Sequence, residues 1–343
     1  MESILNQYMK SKFKKIKLYK FVITSYLWNV TFGIIRLLLK GFYKMNNLII
    51  LLAVLLISCI PSQKFQEKEI MKTIVESKKD IENYKLNDEL LCADNKCLFL
   101  AFWDFDGTIL KGDCSEGLTE NGKEVYKGLV EIGILKGLAK DYKDQAGVIA
   151  LQKKYRELEA KNIREAYVYL PQIFAGSEDQ VIRNFAREYF KDTLQKYYFP
   201  SSIRILEQLK KEGVKSYIIS ASADFFVDGN YETLLVEKNV INGIDMKIEN
   251  GKITPIVIPP VTYAEGKIEK IKQILDQLKK DNSAKHIFIM AGFGNSYHTD
   301  GPFLKYISEQ KLLVGEPISV MVNGGKSPAE YKGKFKEVSF DLE

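Results

Sequence analysis

Four short apolar runs, each followed by a polar turn, restrict the fold of this chain more than any other feature. They are Cys97–Trp103 (CLFLAFW), Val214–Ser220 (VKSYIIS), His286–Met290 (HIFIM) and Ile318–Val322. Runs of this length, rich in aromatic and β-branched residues, read as strands buried on both faces. Between them lie segments of helical period. Ser201–Glu212 carries Ile203, Leu206 and Leu209 on one face, with Gly213 as the C′ residue, and Glu265–Lys280 carries Ile268, Ile271, Leu275 and Leu278. Strands alternating with amphipathic helices imply an α/β fold built on a doubly wound parallel sheet. Within Ile248–Thr254, Asn250-Gly251 is a strong hairpin signal.

Residues 113–199 interrupt this alternation. They are rich in helix formers and predict a helical insert between the first two strands. Ser177 with Gln180 three residues on reads as a capping box, followed by Val181, Phe185 and Tyr189 at helical spacing. The insert's aromatic residues (Tyr155, Tyr167, Tyr169, Phe174, Tyr189, Phe190, Tyr197 and Tyr198) read mainly as core, with an aromatic cage for a quaternary ammonium group as the alternative. The core then comprises residues 91–112 and 200–343. Residues 59–90, polar and rich in Lys and Glu, read as a tether that passes into a helix.

Residues 1–58 form a leader. Nine of the 50 Lys/Arg but one of the 44 Asp/Glu fall there, so the net charge of +6 belongs to the leader and the rest carries 41 basic against 43 acidic residues. A basic surface for nucleic acid is excluded by that distribution. From Met45, an unbroken apolar stretch Leu48–Ile57 ends in Leu56-Ile57-Ser58-Cys59. The stretch is short for a bilayer span and fits the apolar region of a signal peptide. Its end resembles a bacterial lipobox, which makes Cys59 the lipidation site and places the protein outside the cytoplasm on a membrane anchor. A transmembrane anchor, with the upstream run Phe21–Leu39 that Arg36 interrupts, is the other reading. Cys92 and Cys97, five apart in a polar loop, either close a small disulfide in an oxidising compartment or remain two small loop residues. Cys114 has no evident partner.

In an open α/β sheet, ligands bind beyond the carboxyl ends of the strands. The turns there hold Asp104-Phe105-Asp106-Gly107-Thr108, then Ser220-Ala221-Ser222, then Gly294-Asn295-Ser296 with Asp300, and Gly266-Lys267 opens the preceding helix. These types suit phosphoryl transfer. A carboxylate can attack phosphorus and form an acyl phosphate. A second carboxyl two residues away can protonate the leaving alcohol and then activate water. A lysine offsets phosphate charge, hydroxyls and backbone N–H groups orient its oxygens, and carboxylates around a hard cation suggest Mg²⁺. Asp113 either faces substrate or begins the insert, and His298 reads as a surface or gating residue.

The series resembles the haloacid dehalogenase-like superfamily in its phosphoserine phosphatase-like branch. FWDFDGTIL matches the first motif, YIISAS the second, Lys267 the third, and GNSYHTDGPFL resembles the fourth, in order across residues 97–323. The resemblance implies a Rossmann-like core with a cap that closes over a small phosphorylated substrate. It implies Asp104 as nucleophile and Asp106 as general acid–base. Phosphate would be bound by Ser220, Lys267, Gly107 and Thr108, with Ser222 a secondary candidate. Mg²⁺ would be held by Asp104, Asp106, Asn295 and Asp300, with the backbone carbonyl of Asp106 as its donor.

The fourth motif departs from the family pattern. Where an acid usually follows a Gly, alignment on Asp300-Gly-Pro-Phe-Leu places Asn295, and alignment on Gly292 places Phe293. The amide oxygen of Asn295 can ligate Mg²⁺ and the phenyl ring cannot. A phosphotransferase or mutase of the same fold, and a non-catalytic surface-binding lipoprotein, are the alternative function classes. No obligate protein partner is implied.

Overall fold

The structure, a computed structural model, describes residues 62–93, 96–281 and 285–342. The leader and Cys59 lie outside the described residues. Among those residues, no helix is long and apolar enough to cross a membrane.

The first element is helix α1 (Gln63–Glu82), which Ser62 caps by accepting the Phe65 N–H. The segment read as a tether passing into a helix contains that helix, and the helix does more than tether. The i, i+4 spacing of Ile70 and Ile74, extended by Met71 and Ile81, makes a buried stripe, and the helix is part of the core. A small hairpin follows, β1 (Lys85–Leu86) and β2 (Glu89–Leu90), and a disulfide joins Cys92 to Cys97 at the start of β3 (Cys97–Trp103).

The insert begins with a second hairpin, β4 (Gly117–Glu120) and β5 (Lys123–Lys127), before helices α2 (Leu129–Leu135), α3 (Asp144–Glu159), α4 (Ile163–Gln172) and α5 (Asp179–Tyr189). The insert is therefore not wholly helical. Asn121 and Gly122 turn the hairpin with φ of 51° and 73°, the same Asn-Gly chemistry read at 250–251. The expected capping box does not form. Ser177 donates its hydroxyl to the Leu138 carbonyl, Gln180 bonds Asn184, and the helix starts at Asp179. Its apolar face is Ile182, Phe185 and Ala186, with Val181 exposed.

The core resumes with α6 (Pro200–Lys211), β6 (Val214–Ala223), the single turn α7 (Asp224–Val227), β7 (Ile241–Glu249), β8 (Lys252–Ile258) and α8 (Glu265–Lys280). It closes with β9 (His286–Gly294), α9 (Gly301–Ser308), β10 (Ile318–Val322) and β11 (Lys336–Val338). Seven strands form one sheet in the order β11-β10-β9-β3-β6-β7-β8, parallel except for the β7–β8 hairpin. The doubly wound parallel sheet is thus as expected, with three strands more than the apolar runs disclose. Asn250 and Gly251 turn that hairpin, both at positive φ. Strand β9 runs four residues beyond its apolar run, because Ala291, Gly292 and Gly294 keep the ladder while adding no bulk. Central β3 sits between β6 and β9, so the three polar turns that follow these strands meet at one edge of the sheet.

Candidate active site

Asp104 is the first residue beyond β3. Its backbone N–H donates to the Phe293 carbonyl at 2.8 Å, which ties the turn to the neighbouring strand. Its carboxylate is buried, with one oxygen 2.6 Å from Lys267 Nζ and the other accepting the Thr108 hydroxyl at 2.9 Å. Lys267 stands in the first turn of α8, fully buried, and makes a second bond of 2.6 Å to Asp300 Oδ1. The other Asp300 oxygen accepts the N–H groups of Asn295 and Ser296 at 2.9 and 3.0 Å. Asp300 therefore fixes the lysine and the fourth-motif loop at once, and both of its oxygens have protein donors.

Asp106, two residues on, has separate partners. Cys114 N–H donates to Oδ1 at 2.7 Å, and the hydroxyls of Ser222 and Ser220 donate to Oδ2 at 2.8 and 3.2 Å. Asp113 lies beside it, accepting the N–H groups of Ser115 and Glu116, and forms with Asp106 and Cys114 a cluster of potential ligand atoms within 4.8 Å of one another. Ser222, Asp113 and Tyr167 line the same narrow pocket. Tyr167 packs tilted against Tyr263, which meets exposed His298 edge-on, while Tyr155, Phe174, Phe190 and Tyr198 are buried.

Gly107 and Thr108 serve the loop instead of presenting backbone donors. The Gly107 N–H is taken by the Leu110 carbonyl and the Thr108 N–H by the Phe105 carbonyl. Gly107 has φ +74°, and a Cβ there would lie 1.9 Å from Asn295 Nδ2, so the glycine lets the Asn295 side chain pack across the turn that follows Asp104. Phe293, the other alignment, is fully buried and stacked on Trp103 with ring centroids 3.7 Å apart. It faces the core, whereas the Asn295 side chain lies against Gly107 in the turn after Asp104.

The electrostatics follow from burial. Burial, then the Asp300 charge, raises the Asp104 carboxyl to about 7, although Lys267 opposes the shift. Asp106 is raised by burial, against the pull of Cys114 and the two serines. Asp113 is raised well above its usual value by burial and then by Asp106. Burial disfavours the Lys267 ammonium, but the Asp104 and Asp300 charges outweigh it and hold the lysine protonated. Counting full charges, Asp104, Asp106 and Asp300 face one ammonium. That excess of negative charge, with carboxylate, carbonyl and amide oxygens at hand, fits a hard divalent cation.

Sequence reasoning brings together Asp104, Asp106, Ser220, Lys267, Asn295 and Asp300. It does not find Cys114 and Ser115 as partners of this cluster, because nothing in the local pattern marks them.

An α/β core with a mostly parallel sheet, an acidic pair after its central strand and an insert directly behind that pair is the architecture of a hydrolase family. Residues 101–305 match the haloacid dehalogenase-like hydrolase family, and the chain belongs to that family. No curated protein matches the sequence. Among solved structures, a protein of unknown function from Bordetella pertussis Tohama I is 14% identical, covers 72% of this chain and 100% of its own, and superposes with a TM-score of 0.52. A functionally unknown protein from Anaerococcus prevotii is 13% identical over 83% of this chain and 96% of its own, with a TM-score of 0.53. Cytosolic 5′-nucleotidase IIIB bound to cytidine is 15% identical over 80% of this chain and 85% of its own, with a TM-score of 0.50. These likenesses concern the fold.

Proposed function

We propose that the protein is a Mg²⁺-dependent phosphomonoesterase that hydrolyses a small phosphorylated metabolite through an aspartyl phosphate on Asp104. The observation that carries this reading is the division of labour between two carboxylates two residues apart. Asp104 is held by a lysine and a threonine that orient it, and Asp106 is held separately by hydroxyl and N–H donors. One Asp104 oxygen attacks phosphorus, the ester P–O bond breaks, and its electron pair stays on the leaving oxygen. Asp106, protonated, gives that oxygen its proton. A water then attacks the phosphoaspartate, Asp106 takes the water proton, and Asp104 is released with inorganic phosphate. Lys267 offsets the charge of the phosphoryl oxygens. Asp104, the Asp106 carbonyl and Asn295 would hold Mg²⁺, which when bound reduces the repulsion between anionic nucleophile and anionic ester.

The location is part of the same proposal. The Ser58-Cys59 signal supports a thioether-linked diacyl anchor, whose two chains suffice for stable attachment. The Cys92–Cys97 disulfide supports an oxidising compartment outside the cytoplasm.

The test is a phosphomonoester panel with Mg²⁺ and with chelator, on the unaltered protein and on Asp104→Asn and Asp106→Asn. Asp104→Asn should abolish turnover, and Asp106→Asn should slow it about 10²-fold or more. Near-normal activity in Asp104→Asn overturns the mechanism.

A further inference from the structure

The second strand's turn holds a hydroxyl that the phosphate-binding role of Ser220 does not account for. Ser222 Oγ donates to Asp106 Oδ2 at 2.8 Å, nearer than Ser220 at 3.2 Å. It accepts in turn the hydroxyl of Ser115 at 3.1 Å. Both serines are buried, at 6% and 5% exposure, so water competes little for these bonds. A serine hydroxyl has one proton to give. Because Ser115 fills an acceptor position of Ser222, the Ser222 proton is directed to Asp106.

Ser115 is itself fixed at the start of the insert, where the chain leaving the β4–β5 hairpin packs back on it to begin α2. Leu129 N–H donates to the Cys114 carbonyl at 2.8 Å and Val130 N–H to the Ser115 carbonyl at 3.2 Å. The strand of chain opposite passes so close that a Cβ on Gly128 would lie 2.0 Å from the Ser115 carbonyl oxygen. The Cys114 N–H that holds the other Asp106 oxygen comes from the same place. Each oxygen of Asp106 thus has a donor at the base of the insert or hydrogen-bonded to it, Cys114 N–H on one and Ser222 on the other, whereas the Asp104 carboxylate is held by Lys267 and Thr108.

We propose that Ser222 is a positioning residue for the Asp106 acid–base, and that Ser115 at the base of the insert sets the direction of the Ser222 hydroxyl. The inference rests on the phosphomonoesterase reading above. It assigns Ser222 to proton transfer and not to phosphate binding, and it makes the acid–base geometry depend on the seating of the insert. When Asp106 delivers its proton to the leaving oxygen, the Ser222 bond keeps the carboxyl in one rotamer. When Asp106 then takes the proton of water, the same bond prevents it from turning away.

The two roles differ in what they do to esters of different leaving groups. p-Nitrophenolate departs without needing a proton, whereas phenolate is a poorer leaving group and gains from protonation. The experiment measures kcat/KM of the full chain with Mg²⁺ for p-nitrophenyl phosphate and phenyl phosphate, in the unaltered protein, Ser222→Ala and Ser115→Ala. Ser222→Ala should lower kcat/KM for phenyl phosphate about tenfold or more and for p-nitrophenyl phosphate less than about threefold, acid–base assistance as a whole being worth roughly 10²–10⁴-fold. Ser115→Ala should show the same split with a smaller loss, and it decides the matter if Ser222→Ala does not fold. Equal losses with the two esters, or no loss with either, overturn the inference and leave the phosphomonoesterase reading standing. Failure of the unaltered protein to turn over either ester overturns that reading and the inference with it.

Discussion

Replacing Lys267 by Met should destabilise the protein in a way that depends steeply on pH. The ammonium is fully buried and lies 2.6 Å from both Asp104 and Asp300, whose side chains are 7% and 0% exposed. Methionine fills a similar volume and supplies no charge, so two buried carboxylates lose the cation they share. Removing one partner of a buried ion pair typically costs about 3–5 kcal/mol, and that is the loss expected near pH 8. The sign of the pH dependence follows from Asp104. Its folded value of about 7 lies above the ordinary 3.8, so the folded state binds the proton more tightly than the unfolded chain. Such a group favours folding at low pH, and the benefit is lost as pH rises through the interval between the two values. Without Lys267 the folded value rises further and the interval lengthens. Each extra proton retained by the folded variant is worth about 1.4 kcal/mol per pH unit, so the gap between variant and unaltered protein should widen from about pH 5 to about pH 8. Urea unfolding followed by circular dichroism at the two pH values, in chelator, measures that gap. An equal loss at both, or a larger one at the lower pH, refutes the reasoning.

Three further outcomes are expected. Asn295→Asp should lower the Mg²⁺ concentration giving half-maximal activity and Asn295→Ala should raise it, because Mg²⁺ gains much of its binding from carboxylates; Phe293→Asp should instead cost roughly 3 kcal/mol or more in urea unfolding, since it puts a carboxylate in place of a ring stacked on Trp103. If Phe293→Asp is the variant that tightens Mg²⁺, Asn295 has another task. The double variant Cys92→Ser, Cys97→Ser should lose about 2 kcal/mol, the loop-closure value for a short ring, and unchanged urea unfolding would show that the disulfide constrains little. Cys59→Ala should abolish incorporation of labelled fatty acid, and continued labelling, or a mature N-terminus elsewhere, excludes the lipid-anchor reading.

The sequence by itself determined the sheet and the order of its chemistry. Apolar runs such as CLFLAFW and HIFIM, alternating with amphipathic helices, are the pattern of strands buried on both faces of a mostly parallel sheet. The rule that polar residues collect past strand ends then placed Asp104, Asp106, Ser220, Lys267 and Asp300 together without coordinates. Local chemistry was also legible where it acts over two residues, as at Asn250-Gly251, although the same signal at Asn121-Gly122 lay unread inside a segment rich in helix formers. Elsewhere the tertiary structure decided. The Ser177 capping box lost its hydroxyl to the Leu138 carbonyl, 39 residues away, and α1 became core because its Ile70–Ile74 stripe found a surface to cover. Between Asn295 and Phe293 the spacing left two alignments, and the structure buries Phe293 in the core against Trp103 while the Asn295 side chain lies beside Gly107. The Ser115–Ser222–Asp106 chain joins residues 107 and 116 positions apart. A hydroxyl's partner is set by strand register and by how the insert's hairpin folds back on its first residues, and neither is written in the spacing of residues along the chain.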